Sequence, residues 1–332
     1  NVSIKHIAEA LGISTASVSL VLSGRAVEGR VSKDIADKIR ETAKSMNYMP
    51  NGLARSLRMG RTNTIGLIVA DISNPFFSNM AFHIQEKAES LGYTVIIANT
   101  NEDNKQMEKM IDVLKSRQVD GFLIVPTENG DKYIVQLVEN KMPLVLIDRY
   151  FPDIQTNNVI VDNYKASYNA TRLLLRKGCR NIALFTYKSK LQHIVERKKG
   201  YCDALKEAGL YNKELLFEVG YRDLQEDIHA CLDKSIQQEA DGVFFTTNSI
   251  SISGIKELLS RNIRVEEDLP VVCFDKSDAF DFMDISIPYV RQPVADMGQT
   301  SVDILVDQIT KNRPGMAQVM WKMSAELIEI LE

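Results

Sequence analysis

The chain has 332 residues, 45% apolar and 25% charged, a balance that fits two or three ordinary soluble domains rather than one. No run of eighteen apolar residues occurs, so no membrane-spanning segment is expected, and residues 1–7 lack a signal-peptide apolar core, so a cytoplasmic protein is expected. The net charge of −4 divides unevenly: residues 1–61 hold ten Lys/Arg against five Asp/Glu and the remainder thirty against thirty-nine, which directs the small basic head, and not the acidic body, at a polyanion.

In the head, Ile4, Ile7, Ala8 and Leu11 recur at helical spacing, and Gly12 follows where a left-handed turn residue joins two helices. Ser14 is placed to cap a second helix over 15–22, with Val18, Val21 and Leu22 inward and Ser23-Gly24 as its end. Ser32 caps a third, with Ile35, Ile39, Ala43 and Met46 as its buried stripe and Asn47-Tyr48 and Pro50 as its stop. The first two helices are too short to be stable alone, so the three must pack together, as in a helix-turn-helix head. The second helix is the expected reader. Thr15, Ala16 and Leu20 face away from its inner stripe, and the hydroxyls of Ser14, Ser17 and Ser19 suit phosphate oxygens and groove edges. A three-helix protein-interaction module would show the same periodicity. Arg25, Arg30, Arg55 and Arg58 are candidate phosphate anchors or solvated surface charges.

Residues 4–22 (Ile-Lys-His-Ile-Ala-Glu-Ala-Leu-Gly-Ile-Ser-Thr-Ala-Ser-Val-Ser-Leu-Val-Leu), with the later Asn47-Tyr48-x-Pro50-Asn51-x-x-Ala54-x-x-Leu57, resemble the head of the LacI/GalR (lactose-repressor) family of bacterial transcription regulators. The resemblance continues to residue 332. It implies a homodimer on a pseudo-palindromic operator, a recognition helix in each major groove, and hinge helices of about 51–57 paired in the central minor groove. The DNA contacts it implies are Ser3, Ser14, Thr15, Ala16, Ser17, Ser19, Leu20, Arg30, Asn51, Leu53, Ala54, Arg55, Leu57 and Arg58. Leu57 stands where the family inserts an apolar wedge, which unstacks a base step and kinks the duplex. Leu20 departs from the family, which usually has arginine there. Arginine pairs bidentately with guanine, whereas leucine touches thymine methyls or packs, so a different half-site is expected.

The body alternates strands and helices. Residues 64–70 form a continuous apolar run typical of a buried parallel strand. A helix over 76–91, a strand over 94–98, helix 104–116, strand 121–125, helix 131–140 and strand 143–147 follow. The pattern restarts at 181–185, with helix 195–208, strand 241–245, helix 249–261 and strand 270–274. This is βαβ winding in two similar half-bodies, with a ligand cleft expected between them. The resemblance implies a periplasmic-binding-protein-like body of two doubly wound parallel-sheet subdomains behind the all-α helix-turn-helix head. It divides the chain into a DNA-binding domain of 1–58 and a body of 62–332. The body's first subdomain is about 62–161 with 293–320, and its second about 162–292 with 321–332. The chain is implied to cross between them three times, the segment Arg291-Gln292-Pro293-Val294-x-x-Met297-Gly298 matching the family's final crossover.

Open α/β sheets bind ligands at the carboxyl ends of their strands. The candidates there are Phe76 and Phe77 after Asn74-Pro75, Arg149 in Asp148-Arg149, Asn248, and Asp275. Arg197, in Arg197-x-x-Gly200-Tyr201, matches the family's effector-contacting arginine. The phenylalanines suit a sugar ring face or the core of a helix start, and the charged residues suit ligand hydroxyls or structural ion pairs. His193 is a further candidate, though a surface-loop histidine describes it better. Two arginines permit an acidic sugar or a phosphate without requiring one.

Four scattered cysteines without a C-x-x-C pair and four histidines without zinc spacing give no reason to expect a metal or a cofactor. No G-x-G-x-x-G, P-loop, G-x-S-x-G or H-E-x-x-H is present, so nothing asks for an enzyme. The expected function is a DNA-binding regulator, usually a repressor, whose operator affinity is set by a small molecule, a sugar or sugar derivative. The alternatives are a purine co-repressor and a solute-binding receptor with no DNA role. With no leucine heptad tail before Glu332, a dimer rather than a coiled-coil tetramer is expected.

Overall fold

The computed structural model describes residues 2–24, 26, 31–49, 60–282, 286–311 and 319–329. The chain divides into a head, Asn1–Thr62, and a body, Asn63–Glu332. The expected hinge helix of about 51–57, and with it Asn51, Leu53, Ala54, Arg55, Leu57 and Arg58, lies outside the described residues, as do Arg25 and Arg30.

Three helices build the head: α1 (Ile4–Leu11), α2 (Thr15–Leu22) and α3 (Lys33–Ser45). Gly12 takes φ +64° and closes α1, its N–H reaching back to Glu9 O while Ile13 N–H reaches Ala8 O. This is how a left-handed residue satisfies the last carbonyls of a helix. Ser14 Oγ accepts from Ser17 N at 3.1 Å and so caps α2. The small core holds Ile7, Ala8, Val18, Val21, Ala26, Ala36, Ile39 and Ala43. One expectation fails: Ile35, in the first turn of α3, is 41% exposed, and its neighbour Ala36 takes the inward place. A core this small covers only a narrow stripe of α3, and a first-turn side chain at its margin stays in water.

The body is two lobes, each a sheet with helices on both faces. The first contains β1 (Thr64–Val69), α4 (Pro75–Ser90), β2 (Thr94–Asn99), α5 (Asn104–Ser116), β3 (Gly121–Ile124), α6 (Asp131–Glu139), β4 (Leu144–Ile147) and β5 (Asn157–Val161). The second contains α7 (Asn163–Arg176), β6 (Ile182–Tyr187), α8 (Gln192–Glu207), β7 (Leu216–Val219), α9 (Leu224–Gln237), β8 (Gly242–Phe245), α10 (Asn248–Ser260), β9 (Val271–Phe274), α11 (Asp278–Phe282) and β10 (Tyr289–Arg291). Then α12 (Val294–Thr310) and β11 (Met320–Met323) return to the first lobe, and β12 (Glu326–Ile328) ends in the second. The strand orders are β11-β5-β4-β3-β1-β2 and β12-β10-β9-β8-β6-β7. Every pairing is parallel except β10 with β12. Along β1, Ile65, Leu67 and Val69 face the α4/α12 side and Ile68 faces the α5/α6 side, so the strand is buried on both faces and reads as unbroken apolar sequence.

The chain passes between lobes at Asp162, at Gln292-Pro293 and at Ser324-Ala325. Two expectations need correction here. The Arg291–Gly298 segment is the second crossover, not the final one. Residues 321–323, expected in the second subdomain, belong to the first, because Met320–Met323 pair in parallel with Asn158–Val161 of β5.

Candidate ligand cleft and reading helix

A cavity of about 570 Å³ lies between the carboxyl ends of the two sheets, within the ordinary size range for a small-molecule site. Phe76, Phe77, Arg149, His193, Arg197, Asn248 and Asp275 all line it. They come from five different turns and helices, brought together because equivalent strand ends of both lobes face each other.

Local sequence explains the placement. Asn74 Oδ1 accepts from Phe76 N at 3.0 Å and Pro75 occupies the first position of α4, so the helix starts at the cavity wall. Phe76 and Phe77 pack edge to face, ring centroids 5.0 Å apart, and are buried. The core reading and the cleft reading hold together: both rings belong to the hydrophobic core and also face the cavity. Asp148 leaves β4 with φ +66°, its N–H donating to Val159 O at 2.9 Å, and Arg149 N–H donates to Ile147 O at 2.7 Å. This tight turn aims two consecutive charged side chains at the cleft.

The polar groups form two linked sets. Arg149 Nη1 and Nη2 donate to the two oxygens of Glu102 at 2.8 and 2.7 Å, and Nη1 also reaches Pro126 O. Arg197 Nε donates to Asn163 Oδ1 at 2.8 Å and Nη1 to Thr246 O at 2.7 Å, with its guanidinium 3.5 Å from the centre of the Phe274 ring. Gln292 Nε2 donates to both oxygens of Asp275, at 3.0 and 2.9 Å. His193 Nδ1, Asn248 Oδ1 and Gln292 Oε1 are buried without a hydrogen-bond partner, while Arg149 Nε has the Asp148 carboxylate 3.5 Å away. Buried polar atoms are seldom left so, and three of them on residues that line one cavity are what a ligand bearing both donors and acceptors would satisfy.

Burial raises Asp148 above the usual carboxylate range, against the pull of Arg149 and Arg197. Burial likewise pushes Asp275 up to about 6, opposed by the Gln292 hydrogen bond and by Arg197. Burial pushes Arg197 down to about 10, with Asp148 and Asp275 holding it up. Burial also works against the Arg149 charge, but Glu102 more than offsets it and keeps that guanidinium firmly charged. His193 falls well below its ordinary value through burial and the two neighbouring arginines, so it is neutral. The better sequence description of His193, a surface-loop histidine, is corrected: it lies in the first turn of α8 and is buried, because Leu191 precedes the helix as a core residue and pulls the turn inward.

Sequence reasoning did not single out Glu102, Tyr187, Tyr221 or Gln292 as ligand candidates, though all line the cavity. Tyr187 ends β6, where the strand-end rule would have found it, whereas Glu102 lies in the turn beyond β2. Tyr221 stacks on Tyr187 with ring centroids 4.0 Å apart. It follows β7, a strand of four residues with Glu218 in it, too short and polar to read as buried sheet. Among the described residues, no group of three or more His, Cys, Asp and Glu is placed to hold a metal ion. None of the helices there is long and apolar enough to cross a membrane.

In the head, the start of α2 is exposed at Ser14, Thr15 and Ala16, while Ser17, Ser19 and Leu20 are half-buried. Ser14 and Ser17 hydroxyls are 2.9 Å apart, so the cap is also a local hydroxyl pair. Ser3 is exposed and starts α1, its backbone N–H donating to His6 Nδ1 at 3.1 Å. Helix N-termini of this kind attract phosphate through free N–H groups and the helix dipole.

Comparison with known proteins agrees with both halves. Residues 3–51 match "Bacterial regulatory proteins, lacI family", and residues 62–325 match "Periplasmic binding proteins and sugar binding domain of LacI family". The chain is 30% identical to the HTH-type transcriptional regulator RegA of Clostridium saccharobutylicum, over 98% of each sequence. It is 30% identical to a ribose operon repressor of Halalkalibacterium halodurans, over 93% of this chain and 90% of the relative. A LacI transcriptional regulator from Alkaliphilus metalliredigens, solved in complex with D-xylulofuranose, superposes with a TM-score of 0.68 at 25% identity, covering 80% of this chain and 97% of the other. With a helix-turn-helix head, a two-lobed body crossed three times and a match along nearly its whole length, the chain belongs to the LacI family of bacterial transcriptional regulators.

Proposed function

We propose that this regulator is a homodimeric repressor whose operator affinity is set by a small neutral sugar held in the cleft. The carrying observation is that His193, Asn248 and Gln292, whose Nδ1, Oδ1 and Oε1 are buried without a hydrogen-bond partner, all line one cavity between the two lobes. A sugar hydroxyl both donates and accepts, so a ring of hydroxyls satisfies such a mixed set, while Asp148 and Asp275 on either side of Arg197 suit vicinal hydroxyls. Phe76 and Phe77 supply an apolar wall for a ring face. A purine stacked between Phe76 or Phe77 and an opposing residue is the second reading.

The sites follow from this reading. Phe76, Phe77, Arg149, His193, Arg197, Asn248 and Asp275 contact the effector, and Ser3, Ser14, Thr15, Ala16, Ser17, Ser19 and Leu20 contact DNA. The second copy raises the effective concentration of the second head at a symmetric operator. Ligand binding shifts the balance between lobe arrangements and thereby DNA affinity, a coupling of about 1–3 kcal/mol in typical cases. The test is a thermal-shift and DNA-binding screen of the full chain with D-ribose, D-xylulose, hexoses and purines. One or more neutral sugars should raise Tm and change operator affinity; stabilisation by purines alone would overturn the reading.

A further inference from the structure

We propose that Glu102 makes this cleft refuse anionic ligands, by filling the Arg149 fork that a sugar acid or sugar phosphate would otherwise take; this rests on reading the cleft as a sugar site. A guanidinium in a cleft is the usual partner for a carboxylate or phosphate, because its planar fork matches two oxygens at once. Here that fork is closed. Both terminal nitrogens of Arg149 donate to Glu102, at 2.7 and 2.8 Å, and Asp148 Oδ2 stands 3.5 Å from Nε.

The charges of the cavity wall then leave no cationic surplus. Four carboxylates line it against three guanidinium groups, and His193 is neutral. Of those cations, Arg149 is spent on Glu102 and Arg197 stands between Asp148 and Asp275, while Arg222 is exposed. Four helices, α4, α8, α9 and α10, start at the cavity, and a helix start favours an anion; α8 and α9 carry no side-chain cap, whereas the caps of α4 and α10 are internal. Asn74 Oδ1 takes Phe76 N–H and Thr247 Oγ1 takes Ile250 N–H.

Glu102 is held for this contact at a conformational cost. It has φ +57° and follows Asn101 at φ +52°, a left-handed pair that L side chains seldom adopt. Asn101 N–H on Ala70 O at 2.8 Å and Asp103 N–H on Thr100 O at 3.0 Å fix the turn. Such outliers cluster where a side chain must be aimed.

The experiment compares the full chain and Glu102→Gln by calorimetric titration with D-ribose, D-ribonate and D-ribose 5-phosphate. For the unaltered chain, D-ribose should bind at least tenfold more tightly than either anion. In E102Q the anions should gain tenfold or more relative to D-ribose; glutamine has the same size, so the gain cannot come from space. The added change Arg149→Gln in E102Q should abolish that gain. Neutral-sugar binding with no anion gain in E102Q overturns this inference and leaves the proposed function standing. Anions bound by the unaltered chain as well as D-ribose overturn it too, and this measurement decides even if E102Q does not fold. No response to D-ribose or to any other sugar removes the sugar reading and this inference with it.

Discussion

Asp148 and Asp275 are the same residue of a duplicated design. Each ends the fourth strand of its lobe, each takes φ +66°, and each donates its backbone N–H at 2.9 Å to the neighbouring strand, Asp148 to Val159 O and Asp275 to Val290 O. The duplication thereby sets two carboxylates on opposite walls of one cleft, with Arg197 interacting with both. Burial makes both carboxylates resist ionisation, which gives the cleft a pH dependence. Asp275 ionises near 6 in the fold and near 3.8 in the unfolded chain. Its contribution to stability therefore falls as pH rises from about 4 to about 6 and is level above that. A sugar hydroxyl donating to Asp275 favours the ionised form, so ligand affinity should rise with pH up to about 6, by at most about tenfold per pH unit for one linked proton, and then plateau. Calorimetry in buffers of different ionisation enthalpy should show proton release near pH 6. Asp275→Asn should bind weakly and lose this proton release, and an unchanged release would assign the titration elsewhere.

Arg197 is the shared cation of that pair, buried, stacked on Phe274 and bonded to Asn163 and Thr246. Arg197→Met removes the charge and leaves two carboxylates facing each other, so about 3–5 kcal/mol of stability should be lost. Arg197→Lys keeps the charge without the planar fork or the stack. It should fold more stably than the methionine variant yet bind sugar at least tenfold more weakly, as read by urea unfolding and titration. Equal sugar binding by R197K would show that shape at Arg197 does not matter.

How much of this was legible beforehand depends on which force set each feature. Strands β1 to β4 and the helices expected over 104–116 and 131–140 show in the sequence because apolar runs and helical spacing act locally, whereas β5 and β11 of the same lobe were not found. The short β7 and α9 of the second lobe were not found: Leu216–Val219 carries Glu218, and α9 is polar around most of its surface. The cleft residues at strand ends were found by topology alone. Glu102 was not, because its meaning comes from Arg149, forty-seven positions away, and no local pattern encodes a fork closed by a distant carboxylate. Residues 321–323 were placed in the wrong lobe for a related reason: pairing with β5 is a long-range choice.

Leu20 is half-buried on α2, one turn beyond the exposed start of the reading helix. If that helix reads a major groove, Leu20→Arg should raise DNA affinity and shift selected half-sites toward guanine, a good bidentate pair being worth about 1–3 kcal/mol of discrimination. Selection from random duplexes with both proteins checks this. Identical selected sites would place Leu20 outside the groove.

Gly200 sits where α7 and α8 meet, and a Cβ there would stand 2.3 Å from Tyr164 O and 2.8 Å from Tyr168 N. Both atoms are backbone and cannot turn aside. Gly200→Ala should therefore separate the two helices and cost about 1–3 kcal/mol, despite alanine's better helix propensity. Urea unfolding of the body would read it as a lower midpoint. Because Arg197 lies one turn away on the same helix and donates into Thr246 O, ligand affinity should fall in parallel. An unchanged midpoint would mean that the helix pair is loosely packed.

The lobes also touch each other directly. Ser189 Oγ and Lys190 N of the second lobe donate to the two oxygens of Glu128 of the first, at 2.8 and 3.2 Å, and Asn74 Nδ2 donates to Ser249 Oγ at 3.3 Å. Glu128 does not line the cavity. A clasp of this kind favours the lobe arrangement seen here whatever the ligand, and a ligand that needs this arrangement gains affinity in proportion to its population. Glu128→Gln keeps the size and removes the charge from two hydrogen bonds, and hydrogen bonds to charged groups contribute about 1.5–3 kcal/mol. Affinity should fall, and by the same factor for every sugar that binds, because nothing that distinguishes one sugar from another has been touched. Titration of E128Q with several binding sugars measures that factor. A loss confined to one sugar would place Glu128 in ligand recognition instead, and no loss at all would mean that the three crossovers alone hold the lobes in place.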